Sequence, residues 1–160
     1  MNFGLWIEPE MVSPKSRLFE EHPDWCLHIP GRPLAEGRNQ LVLDLSREDV
    51  QEFIIETLDS ILTSAPIAYI KWDMNRYLTN AASPLLVADR QKELYHRYVL
   101  GLYRVLEEVT TAHPEVLFEG CSGGGGRFDL GILYYMPQYW TSDNTDAISR
   151  LKIQYGTSMI

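Results

Sequence analysis

The chain has 160 residues, of which 45% are hydrophobic and 22% charged, which is enough apolar material for one globular core. A formal net charge of −8 with a pI near 4.9 leaves no basic stripe to meet phosphates, which excludes a nucleic-acid partner. No run reaches the roughly 18 apolar residues of a membrane helix; two cysteines, Cys26 and Cys121, are too few for a disulfide framework, and their wide spacing does not resemble a metal site.

In chain order, "FGLWIEPE" is the first expected strand and "QLVLDL" the second. "SREDVQEFIIETLDSILTSAP" follows with helical spacing at Val50, Phe53, Ile54, Ile55, Leu58, Ile61 and Leu62. Ser46 with Asp49 supplies its start signal and Pro66 its stop. "AYIKWDMN" is the third strand. "DRQKELYHRYVLGLYRVLEEVTTAHP" is a second long helix, with Leu94, Tyr95, Tyr98, Val99, Leu102, Val105, Leu106 and Val109 as its buried stripe. "VLFEGCSG" is the fourth strand; a glycine-rich turn and a weaker helix around 127–135 come next. "YWTSDNTD" is the fifth strand, and a last helix is expected to start near Asp146.

Strands alternating with helices indicate an α/β fold with a parallel sheet. All five strands carry polar side chains at their C-terminal ends, as in a barrel whose site gathers residues from several strand ends; a doubly wound sheet concentrates them at one crevice. A complete (β/α)8 TIM barrel needs about 250 residues. The expectation is therefore a partial barrel of roughly five of the eight units, with residues 1–160 a fragment of a single catalytic domain.

Strand alternation puts Lys71 and Asp73 on one face, with Ile70 and Trp72 on the other. A cation one strand repeat away favours the ionised carboxylate, which suits a nucleophile; a structural ion pair is the bland alternative. Asp143 closes the fifth strand, and Asp146 competes with it but falls where a helix cap belongs. Two carboxylates on different strand ends suit glycoside hydrolysis, one attacking the anomeric carbon and the other protonating the leaving oxygen. "CSGGGGRFD" lacks the G-K-[ST] ending of a phosphate loop and reads as backbone that swings clear of a ligand or turns sharply. Cys121 is either a small wall residue or a reactive thiol. Trp6 and Glu8 share one face of the first strand, where a tryptophan either stacks on a sugar or fills the core. Glu8 and Glu10 are further carboxylate candidates, and Arg38 lies in a loop before the second strand.

Together, "WIEPEMV", "GRNQLVLDL", "KWDMNR", "CSGGGGRFDLG", "YWTSDNTDA" and "RLKIQYGTS" resemble the catalytic domain of family 36 α-galactosidases, with the motifs in the expected order from residue 3 to residue 160. The resemblance implies a (β/α)8 barrel and retaining hydrolysis of terminal α-galactosides such as melibiose and raffinose, with neither metal nor organic cofactor. It makes Asp73 the nucleophile and Asp143 the general acid/base, and makes Trp6, Arg38, Lys71, Asn75 and Cys121 sugar contacts. It assigns no catalytic part to Glu8, Glu10 or Asp146. Members of the family carry a β-sandwich domain before the barrel, a smaller β domain after it, and an acidic pair on an earlier strand. None of these lies within the 160 residues, so the expected fragment has little or no activity of its own. A galactosyl-transferring or α-N-acetylgalactosaminidase parent is the alternative. The expected partner is an α-galactoside, with no membrane and no nucleic acid; a homo-oligomeric parent and a cytoplasmic location complete the expectation.

Overall fold

The computed structural model describes residues 2–79 and 81–159. Their elements run β1 (Phe3–Ile7), β2 (Met11–Val12), α1 (Arg17–Glu21), β3 (Leu41–Val42), α2 (Glu48–Ser64), β4 (Ile67–Asp73), α3 (Leu94–Ala112), β5 (Leu117–Cys121), α4 (Leu130–Tyr135), β6 (Gln138–Tyr139) and α5 (Ala147–Thr157), with short 3-10 helices at Pro23–Trp25 and Ala88–Glu93. They form two compact units. Residues 2–8, 67–75 and 114–159 make the first, and residues 9–66 with 76–113 make the second.

The first unit is built on an open parallel sheet in the order β1-β4-β5-β6. Pairing sets Trp6 opposite Lys71, Lys71 opposite Glu119, and Asp73 opposite Cys121. Because side chains alternate, Ile70, Trp72 and Phe118 are sunk on one face while Trp6, Lys71, Asp73, Glu119 and Cys121 share the other. Gly120 is obligatory in this sheet, since a Cβ there would lie 2.4 Å from the Tyr139 ring. The helix α5 starts where expected: Asp146 is its cap, accepting the Ser149 amide at 2.8 Å. Asp129 caps α4 in the same way.

In the second unit the two long helices take the expected positions. α2 buries Val50, Ile54, Leu58 and Leu62, and α3 buries Leu94, Tyr98, Leu102, Val105, Leu106 and Val109. Gly101 of α3 meets the Leu45 carbonyl so closely that a Cβ would fall 1.8 Å from its oxygen. Glu10, fully buried, accepts the Tyr98 hydroxyl at 2.7 Å.

Three expectations are corrected. The run "QLVLDL" does not enter the parallel sheet, which has four strands among the described residues. Leu41 and Val42 pair antiparallel with Met11 and Val12 instead. An apolar run reports burial, and all of Leu41–Leu45 is buried, but it does not name the pairing partner. Ser46 does not open α2; its hydroxyl goes to the Asp44 carboxylate at 2.5 Å, while Asp49 is taken by Arg47 at 2.7 Å. Tyr95 and Val99, assigned to the buried stripe of α3, are 52% and 40% exposed, because that stripe is narrower than the run of apolar residues. No helix of the described residues is long and apolar enough to cross a membrane.

Candidate active site

Asp73 is the last residue of β4 and is only 6% exposed. Its Oδ2 accepts the Trp6 indole N–H at 3.2 Å, the ring reaching diagonally across from the neighbouring strand. Burial alone would raise the Asp73 pKa. Hydrogen bonding from the Asn75, Cys121 and Trp6 side chains and the Gly123 amide outweighs it, so the carboxyl ionises below its usual range. Oδ1 is buried with no hydrogen bond of good geometry. The group is thus a shielded carboxylate, charged at neutral pH. That is what a nucleophile toward carbon requires.

Asn75 is fixed from both sides. Its Nδ2 donates to Glu8 Oε1 at 2.7 Å and its Oδ1 accepts the Gly123 amide at 3.1 Å. At Cys121 burial, aided by the Asp73 side chain, pushes the thiol up to about 11, which favours the protonated form at neutral pH.

Lys71 is placed differently from expectation. Its ammonium pairs with Glu119 Oε1 at 3.3 Å and lies 4.3 Å from the centre of the Trp140 ring. The buried Glu119 carboxylate also accepts the Tyr69 hydroxyl and the Gln138 amide. Burial first, and Glu119 second, raise the Tyr69 pKa. The largest influences that hold Asp73 ionised are therefore neutral donors, and Lys71 is held at the centre of a separate polar network.

Asp143 does not close a strand as expected: β6 ends at Tyr139, and Asp143 lies in the exposed segment after it, where its Oδ1 accepts the Trp140 indole N–H at 2.9 Å. The glycine-rich loop connects this segment with the one after β4. On one side Ser122 Oγ donates to the Met74 carbonyl at 2.8 Å. On the other, a Cβ on Gly125 would fall 2.7 Å from the Thr141 carbonyl oxygen, and one on Gly124 would fall 3.1 Å from Ser142 Cα. Gly123 and Gly124 have φ of +54° and +85°, a left-handed backbone that side chains disfavour. Gly124 and Gly125 are the two at which this backbone touches that of Thr141 and Ser142 with nothing between them, while a Cβ on Gly126 would meet the loop's own Ser122 carbonyl.

The structure thus brings Trp6, Lys71, Asp73, Asn75, Cys121 and Asp143 into one unit, on the C-terminal ends of β1, β4, β5 and β6 and the loops that follow. Arg38 belongs to the other unit. With Asn39 it forms the left-handed centre of a tight turn closed by paired Gly37 and Gln40 backbone bonds, φ +55° and +58°. Glu119 and Trp140 join the network around Lys71, and sequence reasoning assigned neither; Glu8, a carboxylate candidate in the sequence, instead holds Asn75. The contact of Glu119 with Lys71 depends on the register of two strands. Among the described residues no group of three or more His, Cys, Asp or Glu side chains is placed to hold a metal ion.

The melibiase family model matches residues 1–160. The chain belongs to the melibiase family. This melibiase chain is 68% identical along its whole length to α-galactosidase AgaA of Geobacillus stearothermophilus, and 58% identical to α-galactosidase Mel36A of Lactobacillus acidophilus. In each case it covers 22% of the relative. The crystal structure of AgaA superposes on all of it with a TM-score of 0.97, over 22% of that chain. An α-galactosidase from Lactobacillus brevis, 54% identical, gives 0.96 over 99% of this chain and 21% of its own. The melibiase chain therefore spans about a fifth of the relatives it matches, and the matched portion of those glycoside hydrolases is α/β.

Proposed function

We propose that the complete protein containing this melibiase chain is a retaining α-galactosidase, and that residues 1–160 are part of its single (β/α)8 catalytic domain. The carrying observation is the Asp73 carboxylate, buried and ionised at a strand end, tied through the glycine loop to the segment that presents Asp143. Structures of AgaA variants have been solved with raffinose and with stachyose. The aspartates substituted in those two variants are separated by the same interval as Asp73 and Asp143, which supports the assignment of both.

In the proposed mechanism Asp73 attacks the anomeric carbon as the glycosidic C–O bond breaks, and Asp143 gives its proton to the departing oxygen. Water then attacks the galactosyl ester and Asp143 takes the proton, restoring both groups. Trp6, 52% exposed with its N–H on Asp73, keeps ring surface for the apolar side of the sugar. Lys71, Asn75 and Cys121 supply hydrogen-bond donors. The proposal gives the 160 residues alone little or no turnover, since they span about a fifth of the relatives' length. Product analysis by NMR with melibiose as substrate tests the proposal: α-galactose formed first supports it, and β-galactose formed first refutes retention.

A further inference from the structure

Resting on the assignment of Asp143 as acid/base, we infer that Trp140 is its positioning residue and couples it to Lys71. The Trp140 indole makes three contacts that bear on this. Its N–H donates to Asp143 Oδ1 at 2.9 Å, the Lys71 ammonium lies 4.3 Å from its ring centre, and the Arg150 guanidinium lies 4.9 Å from the same centre. Arg150 also donates to the Ser142 carbonyl at 2.9 Å, so the residue before Asp143 is held by the same cation that faces the ring. Lys71 is anchored in turn by Glu119.

Asp143 is otherwise exposed and free to rotate, which a proton donor cannot be at the moment of bond cleavage. The indole removes that freedom. With Oδ1 committed as acceptor, the proton of the acid form sits on Oδ2. From there it passes to the glycosidic oxygen as the C–O electron pair moves onto that oxygen. In the second step Oδ2 is the atom that accepts the proton of water. The Lys71 ammonium sits against the same ring, so a sugar that engages Lys71 does so beside the group that orients the acid.

The test uses the complete enzyme with Trp140→Phe, which keeps an aromatic face for Lys71 and deletes the donor. A second form carries the benzothienyl analogue of tryptophan at position 140, which replaces N–H by sulfur in the same bicyclic shape. For melibiose, whose leaving group needs a proton, kcat/KM falls about 10- to 100-fold, the scale of one charge-assisted hydrogen bond. For a dinitrophenyl α-galactoside, whose leaving group needs none, kcat/KM stays within about threefold. Binding of 1-deoxygalactonojirimycin is unchanged in both forms. Equal loss on the two substrates in the benzothienyl form, or no loss on melibiose, overturns the inference. Asp143→Ala, measured beside them, separates the two levels: if it lacks this leaving-group selectivity, the acid assignment itself fails, and if it alone shows the selectivity, only the part given to Trp140 fails.

Discussion

Alanine at Gly125 isolates what the glycine loop does for catalysis. The added Cβ would lie 2.7 Å from the Thr141 carbonyl oxygen and 3.4 Å from its carbon. A carbon and a carbonyl oxygen rest at about 3.3–3.6 Å. The two backbones must therefore separate by roughly 0.6–0.9 Å, beyond the ~0.5 Å within which a catalytic group stays productive. Thr141 is two residues before Asp143, so the displacement is passed to the acid. A 1 Å misplacement costs on the order of 10²-fold, and a fall of about 10- to 100-fold in kcat/KM for melibiose is expected in the complete enzyme. Gly31→Ala is the control. Its φ is +79° and a Cβ there meets nothing within 4 Å, so it carries left-handed strain of about 1–2 kcal/mol without pushing any backbone. Its thermal stability should fall while its kcat/KM stays near wild type. Kinetics and melting curves on the two variants decide the matter. If Gly125→Ala retains wild-type kcat/KM on melibiose, or if Gly31→Ala loses as much, close backbone contact is not what places Asp143.

Glu119→Gln removes the ionic partner of Lys71 from a nearly buried pair, and KM for α-galactosides should rise at least about tenfold, with kcat less affected; an unchanged KM would disconnect Lys71 from the sugar. Asp73 ionises below its usual range, so its charged form contributes stability at neutral pH. That contribution is lost only as pH falls through its folded value, beneath the ordinary 3.9 or so. Trp6→Phe deletes one of the donors that lower the Asp73 pKa, so the pH at which this stability is lost should rise, and an unchanged midpoint of acid unfolding would refute the part given to the indole. Gly101→Ala drives a Cβ into the Leu45 carbonyl and should destabilise the fold by about 1–3 kcal/mol, read as a lower urea midpoint with little change in the rate per folded molecule.

Local chemistry that acts through the backbone was legible in the sequence. Asp146 read as a cap and is one, and the long helices announced themselves through their apolar spacing. The glycine run read as backbone that swings clear of a ligand or turns sharply; the turn is there, at the positive φ of Gly123 and Gly124, but the close neighbour is the backbone of Thr141–Ser142, which the sequence did not indicate. Asp73 and Lys71 were placed on the correct face by alternation alone. Partnership across strands was not legible, because it depends on register. Lys71 looked like the companion of Asp73, yet the neighbouring strand presents Glu119 directly opposite it and takes the ammonium. The grip of Glu8 on Asn75 joins residues far apart in sequence, and no local pattern marks it. The antiparallel pairing of Leu41–Val42 was hidden for a related reason, since a short fully buried run has no alternation from which to read its neighbour.

The account depends most on Asp73 as the atom donor to carbon. Incubating the complete enzyme with a 5-fluoro-α-galactosyl fluoride, digesting it with pepsin and sequencing the labelled peptide by mass spectrometry tests this directly. A galactosyl ester on the carboxylate of Asp73, within Lys71-Trp72-Asp73, is the expected result. Label on Asp143, Glu8 or Glu119, or turnover that leaves no ester and releases β-galactose, would contradict it.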